Sequence, residues 1–267
     1  RVTVGGPGCA QPYSAARLNC SAMSFGSLSA HAIMALNKGA KLGDFYHNTG
    51  EGGYSPYHQQ GGDIVWQIGT GYFGCRDEHG NFCPDAFQER AVLDQIKMIE
   101  IKLSQGAKPS HGGVLPAAKV TEEIAKIRLV ETGGDVISPP GHSTFDSPRG
   151  LLDFVAELRT LSNGKPVGFK LCIGRKYEFL AICKAMLDTG IYPDFITIDG
   201  AEGGTGTAPV EYSNRFGLPC LEAVSFVHNC LRGVGLRDHI RLVASGKTAS
   251  GFDVVTKLAM RADIVNA

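Results

Sequence analysis

The feature that most limits what this chain can fold into is a repeated order: a short β-branched run, a polar glycine-rich exit, then a stretch with helical spacing. It is clearest where Phe195, Ile196, Thr197, Ile198 and Asp199 run into Gly200, Gly203, Gly204 and Gly206. β-Branched residues favour an extended backbone, and glycines let the main chain approach a ligand closely and aim N–H groups at it. One such turn alone reads equally well as a tight surface turn, so the recurrence is what constrains the fold. Strand candidates begin near residues 18, 44, 99, 135, 167, 195, 241 and 263, and helical periodicity separates most of them. Eight strands alternating with helices predict an α/β fold of the (β/α)8 TIM-barrel type, cut after its eighth strand so that the last helix is missing. A doubly wound open sheet competes, but the exit of the first strand carries no G-x-G-x-x-G pattern.

Local signals place the helices. Ser27 or Ser29 can cap a helix whose apolar positions are Ile33, Leu36 and Ala40, and Gly43 stops it. Thr121 caps a helix that ends near Arg128, and Ser147 with Pro148 opens another with Leu151, Leu152, Val155 and Leu158 inward. Residues 84–97 read as helical, followed by a strand from Ile99, while 177–189, 220–232 and a segment running to Arg261 complete the set. Residues 54–83 lack helical period and read as an insertion in a single domain spanning 1–267, with Ile64 to Ile68 as a peripheral strand.

Composition removes several classes of function. Lys plus Arg and Asp plus Glu both number 26, so the formal net charge is zero and no electrostatic footprint for nucleic acid is present. No apolar run approaches the roughly 18 residues that span a bilayer, and residues 1–7 lack a signal-peptide core. A cytoplasmic protein with no membrane association is the expectation. The 8 cysteines contain no C-x-x-C pair, which suits reduced, mostly buried thiols better than disulfides or a metal centre.

The candidate chemistry sits at strand ends. Glu51 lies between Gly50 and Gly52, either as a site residue or as a solvated turn residue. Glu100 and Lys102 alternate along one strand and so share a face, which is either the lumen of a barrel or a solvated edge. Gln105, Lys108 and His111 follow in one loop. Lys170 is embedded among apolar residues, and a buried lysine is rare unless it is paired or used. Gly246 precedes a helix start, a ready phosphate site.

Six stretches in this order, 21–27, 48–53, 105–109, 125–128, 137–140 and 203–206, resemble the FMN-binding synthase domain of glutamate synthase and its stand-alone relatives, from about Leu18 onward. The resemblance implies an FMN-containing barrel, an oxidoreductase acting on CH-NH2 donors. It would reduce the imine of 2-oxoglutarate and ammonia to L-glutamate by hydride delivery from the reduced flavin. Carried over, Ala22, Met23, Ser24, Lys170, Gly204, Thr205 and Gly246 would hold FMN, with Lys170 at the pyrimidine side and Gly246 at the phosphate. Gln105, Lys108, Arg128 and Glu51 would hold the oxo-acid, and Glu51 with Lys108 would be catalytic. The family has glutamine at Glu100 and at Val114, so the substrate pocket departs from the 2-oxoglutarate pattern. No amidotransferase nucleophile is present in the sequence, so ammonia or an amidotransferase partner, and an electron donor, are implied. The family's three [3Fe-4S] cysteines lie beyond the position of Ala267, so a cluster is implied only for a longer chain. A 2-hydroxy-acid oxidase-like enzyme, with His111 or His142 as base, and a flavin-binding module without turnover are the alternatives.

Overall fold

The computed structural model describes residues 1–109, 111–204 and 208–267. Among these residues twelve strands run in chain order: β1 Val2–Val4, β2 Tyr13–Ala15, β3 Leu18–Asn19, β4 His47–Asn48, β5 Ile64–Ile68, β6 Ile96–Lys102, β7 Val114–Leu115, β8 Val136–Ile137, β9 Val167–Leu171, β10 Phe195–Asp199, β11 Arg241–Ser245 and β12 Ile264–Asn266. The helices are α1 Ala30–Gly43, α2 Pro84–Ala91, α3 Glu122–Arg128, α4 Pro148–Leu161, α5 Lys176–Thr189, α6 Cys220–Gly233 and α7 Gly251–Ala259. Eight strands form one sheet in the order β3-β12-β11-β10-β9-β6-β5-β4, every neighbouring pair parallel. A parallel bridge between Cys20 and His47 joins the two ends of that order, closing the (β/α)8 barrel. The antiparallel pair β1–β2 brings Val4 and Tyr13 against Val65, Met98, Phe195, Val243 and Ile264, which plug one end of the lumen.

The expected caps form. Ser29, Thr121 and Ser147 each accept a first-turn N–H at the start of α1, α3 and α4; Ser250, not singled out in the sequence, does so for α7, and Gly190 closes α5 in the left-handed region at φ 69°. The larger core lies between barrel and helices, where Trp66, Ile99, Phe169, Ile196 and Leu242 meet Phe87, Leu152, Val155, Phe179 and Val227.

Three expectations are corrected. Ile64–Ile68 is not peripheral: it is β5, fully buried and paired with both β4 and β6. Its crossover from β4 contains only a 3-10 turn, Pro56–His58, so the helix that would mark a barrel strand is lacking there. Conversely, Val136–Ile137 is outside the barrel, paired antiparallel with β7, and Pro139 and Pro140 prevent its extension. Finally, α2 ends at Ala91 and β6 begins at Ile96, so residues 84–97 divide between helix and strand.

Candidate active site

Alternation along the barrel strands sorts the lumen by height. On β6 Met98, Glu100 and Lys102 share one face, and on β10 Phe195, Thr197 and Asp199 do. The lowest of each joins the apolar plug, whereas the upper ones form a polar layer with Asn48, Gln67 and Lys170. Above this layer, at the C-terminal ends of the strands, lies a cavity of about 310 Å3.

Glu100 anchors the layer. Its carboxylate accepts from Asn48 Nδ2 at 2.7 Å, Gln67 Nε2 at 2.6 Å and Thr197 Oγ1 at 2.6 Å. Beside it, Lys170 Nζ lies 3.4 Å from Asp199 Oδ2, both side chains buried, and the Gly106 N–H donates to the same oxygen at 2.9 Å. Burial alone would lower the Lys170 pKa, but the carboxylates of Asp199 and Glu100 outweigh it and raise it above the ordinary lysine value.

The exit of β4 aims Glu51. Asn48 Oδ1 accepts the Gly50 N–H at 3.0 Å while Gly50 turns at φ 64°, and Glu51 Oε1 then meets Lys102 Nζ at 2.7 Å. Gly69 and Gly113 leave room for this carboxylate, since a Cβ on either would fall 2.5 Å from one of its oxygens and displace it. Burial pushes the Glu51 pKa up, yet Lys102, Lys108 and Arg128 together pull it below the usual glutamate value. Lys108 is buried on the loop after β6, and its pKa is lowered by that burial and by Lys102, against Glu51. Arg128 is the last residue of α3, which Leu129 ends in the left-handed region at φ 59°. Its Nη2 donates to Phe25 O at 3.2 Å and its guanidinium stands 5.2 Å from the Phe73 ring centre. Burial lowers its pKa, against the pull of Glu51.

Ala22, Met23, Ser24, Glu51, Gln105, Lys108, Arg128, Lys170 and Gly204 all line this one cavity. The Met23 segment is tied down by its N–H to Asn48 O at 3.0 Å and by His58 Nε2 on its carbonyl at 3.2 Å. Thr205 lies outside the described residues. Gly246 is not in the cavity wall; it turns at φ 111° with Gly203 so close that a Cβ would sit 3.2 Å from the Gly203 Cα. The start of α7 is filled by its own side chain, since Asp253 Oδ2 accepts from the N–H groups of Ala249 and Ser250. The cation at the Gly246 loop is instead Lys257, buried, donating to Gly246 O at 2.8 Å and Thr248 Oγ1 at 2.6 Å.

Gln67, Ser138, Leu28 and Leu115 also line the cavity without being candidate site residues in the sequence, and Lys102 joins them. The peripheral reading of β5 hides Gln67, and the reading of the segment from residue 135 as a barrel strand hides the placement of Ser138; the alternation of Glu100 with Lys102 is the sequence signal for Lys102. Val114 lines the wall as well. Neither histidine of the alternative reading does. His142 spends both ring nitrogens on Lys102 O and Tyr72 Oη, and burial lowers its pKa to about 4, while His111 borders a small adjoining cleft.

Residues 10–267 match the family described as the conserved region in glutamate synthase. The chain is 44% identical to the glutamate synthase large subunit-like protein YerD of Bacillus subtilis over 266 residues, 98% of this chain and 50% of that protein. It is 33% identical to the archaeal-type glutamate synthase [NADPH] of Thermotoga neapolitana over 92% of this chain and 45% of that one. The chain therefore spans about half the length of the curated relatives it matches. Among solved structures, the recombinant flavin-binding domain of baker's yeast flavocytochrome b2 superposes with a TM-score of 0.55 at 12% identity, covering 94% of this chain and 56% of that one. At that identity the likeness concerns the barrel alone.

Proposed function

This chain belongs to the glutamate synthase family through its conserved region, and from that premise we propose that it is an FMN-dependent oxidoreductase that reductively aminates 2-oxoglutarate or a related 2-oxo acid. The observation that carries the reading is the convergence of Glu51, Gln105, Lys108 and Arg128 on one cavity that also reaches Lys170.

The cavity suits FMN. Its volume lies at the lower end of the roughly 300–1,000 Å3 range of small-molecule sites. Small residues Ala22 and Ser24 border it, Gly204 lines it, and Lys170 supplies a buried cation at its floor. These residues would hold the ring, and the Gly246 loop, with Lys257 beneath it, would hold the phosphate. When bound, FMN supplies reversible two-electron chemistry. A cation at the floor favours negative charge on whatever ring lies above it.

The chain's own groups do the rest. Arg128 presents a planar fork suited to a carboxylate and Lys108 a point charge. The Lys108 ammonium, acidified by burial and by Lys102, is suited to give a proton to the oxygen lost when an oxo-acid and ammonia condense. Glu51, kept ionised by its cationic neighbours, is placed to hold an ammonium ion or accept its proton. No helix among the described residues is long and apolar enough to cross a membrane. The nitrogen comes from free ammonia or from a partner protein that supplies amide nitrogen, and the electrons come from a separate donor.

The test is to load the protein with FMN, remove excess flavin, titrate a series of 2-oxo acids against the visible spectrum, and assay L-glutamate formation from 2-oxoglutarate and ammonium with a chemical reductant. Retained FMN, a spectral shift with dicarboxylic oxo-acids and glutamate formation are expected. Failure to retain FMN, or indifference to every oxo-acid, would overturn the reading.

A further inference from the structure

We propose that Glu100 is a specificity-determining residue: by fixing the amide of Gln67 in one orientation it makes the cavity floor present a hydrogen-bond acceptor beside the Lys170 donor, a pair that selects a ring edge carrying an N–H next to a carbonyl. The inference rests on the reading that FMN occupies this cavity, whose pyrimidine ring has such an edge.

The argument starts from what a carboxylate can do. It accepts hydrogen bonds and donates none. Glu100 is 1% exposed, and its two oxygens meet Asn48, Gln67 and Thr197 at 2.6–2.7 Å. Each of those partners must therefore turn a donor towards it. For Asn48 the consequence is independently visible, because its other atom, Oδ1, accepts the Gly50 N–H. For Gln67 the Nε2 group is committed to Glu100, which leaves Oε1 as the atom turned away from it. Gln67 lines the cavity, and its Oε1 has no hydrogen-bond partner among the described residues.

Backbone pairing puts the acceptor and the donor on the two strands that flank β6, Gln67 level with Glu100 and Lys170 one step above it. Gln67 is the register partner of Glu100 across β5–β6, and Lys170 is that of Lys102 across β6–β9. The floor thus reads acceptor, buried carboxylate, cation. A buried acceptor left unmatched is costly, so a ligand edge that brings an N–H to Gln67 and a carbonyl or ring nitrogen to Lys170 is favoured over one that cannot. A neutral amide at position 100 has both a donor and an acceptor to offer, and would let Gln67 turn over and present its NH2 group.

The experiment uses the FMN-loaded protein, with FMN labelled with nitrogen-15 at N3, and compares the affinities of FMN and N3-methyl-FMN. In the wild type the N3 proton should be protected from solvent exchange and FMN should bind at least about tenfold more tightly than the methylated form. Glu100→Gln keeps the shape of the floor, so any steric part of that preference stays, and the preference should fall by about threefold to tenfold, one neutral hydrogen bond. Gln67→Met removes the acceptor without touching Glu100 and should lose N3 protection, which keeps the test decisive should Glu100→Gln fail to fold. Rapid N3 exchange in wild-type protein that retains FMN, or an unchanged preference in the variants, would overturn the inference while leaving the FMN reading intact. Protein that retains no FMN would overturn both.

Discussion

Replacing Lys170 by methionine isolates the electrostatics of the cavity floor. The ammonium lies 3.4 Å from Asp199 Oδ2, with side chains 8% and 5% exposed. At an effective dielectric constant of about 20, two unit charges at that separation attract by about 5 kcal/mol. Removing one partner of a buried pair typically costs about 3–5 kcal/mol, because the other charge is left without its counterion. Asp199 keeps the Gly106 N–H, so the lower half of that range applies. The sign of the pH dependence follows from the raised Lys170 pKa. The lysine's contribution is complete below its ordinary value of 10.5 and is lost only as pH rises through the higher folded value. The cost should therefore be constant between pH 7 and 9. Urea unfolding of wild type, Lys170→Met, Asp199→Asn and the double variant should show a loss of about 3–4 kcal/mol for Lys170→Met, at least half of it recovered in the double variant. With FMN bound, Lys170→Met should lower the two-electron potential by about 20–65 mV, the equivalent of about 1–3 kcal/mol. A Lys170→Met protein within about 1 kcal/mol of wild type, or strict additivity with Asp199→Asn, would refute the idea that the pair is coupled.

Arg128→Met and Lys108→Met should each raise the dissociation constant of a 2-oxo acid by about tenfold to a hundredfold with the flavin spectrum preserved, as followed by spectral titration. Glu51→Gln should lose stability relative to wild type at pH 6–8, and the difference should shrink as pH falls below the ordinary 4.5 through the lower folded value, because the Glu51 pKa is depressed by Lys102 against the effect of burial. His47→Leu should be neutral or stabilising at pH 8 and increasingly stabilising as pH falls below 6.5. His47 is buried with neither ring nitrogen hydrogen-bonded among the described residues, and desolvation lowers its pKa to about 3. Only the unfolded chain then takes up its proton, so wild type should lose about 2 kcal/mol at this residue between pH 7 and 5 in thermal melts, the slope approaching about 1.4 kcal/mol per pH unit only towards pH 5.

Features whose cause is local could be read from the residues. The caps at Ser29, Thr121 and Ser147 and the alternation of Glu100 with Lys102 each depend on neighbours within one turn or one strand, and each appears where expected. Lys170 could also be read, because a lysine among strand-forming apolar residues has to be matched by something. What matches it, Asp199, lies 29 positions later and is fixed only by the β9–β10 register, where Thr197 stands opposite Lys170. Strand β5 was misassigned for the same reason in reverse. It reads as a strand, but a fully buried strand shows no alternation, and without a crossover helix before it nothing local assigns it to the barrel. With β5 went Gln67, and with Gln67 the polarity of the cavity floor.

The pairing of β5 with β6 also determines which residues reach the cavity at all. Ile64 pairs with Ile96, but the next residue, Val65, pairs with Met98, so Lys97 is passed over in a register shift. Side chains on a strand alternate, and a single inserted residue transfers everything beyond it to the opposite face. Ile96 accordingly joins the outer core with Ile99 and Ile101, although Met98, an even number of positions from Ile96, joins the lumen plug. A regular strand continued from Ile96 would have turned Met98, Glu100 and Lys102 towards the helices and Lys97, Ile99 and Ile101 into the lumen. Glu100 would then be buried against apolar side chains without Asn48, Gln67 and Thr197, and Glu51 would lose Lys102. The irregularity at Lys97 is thus the local event on which the polar layer depends, and it costs only one side chain, partly solvated and paired with Asp94 at 3.3 Å.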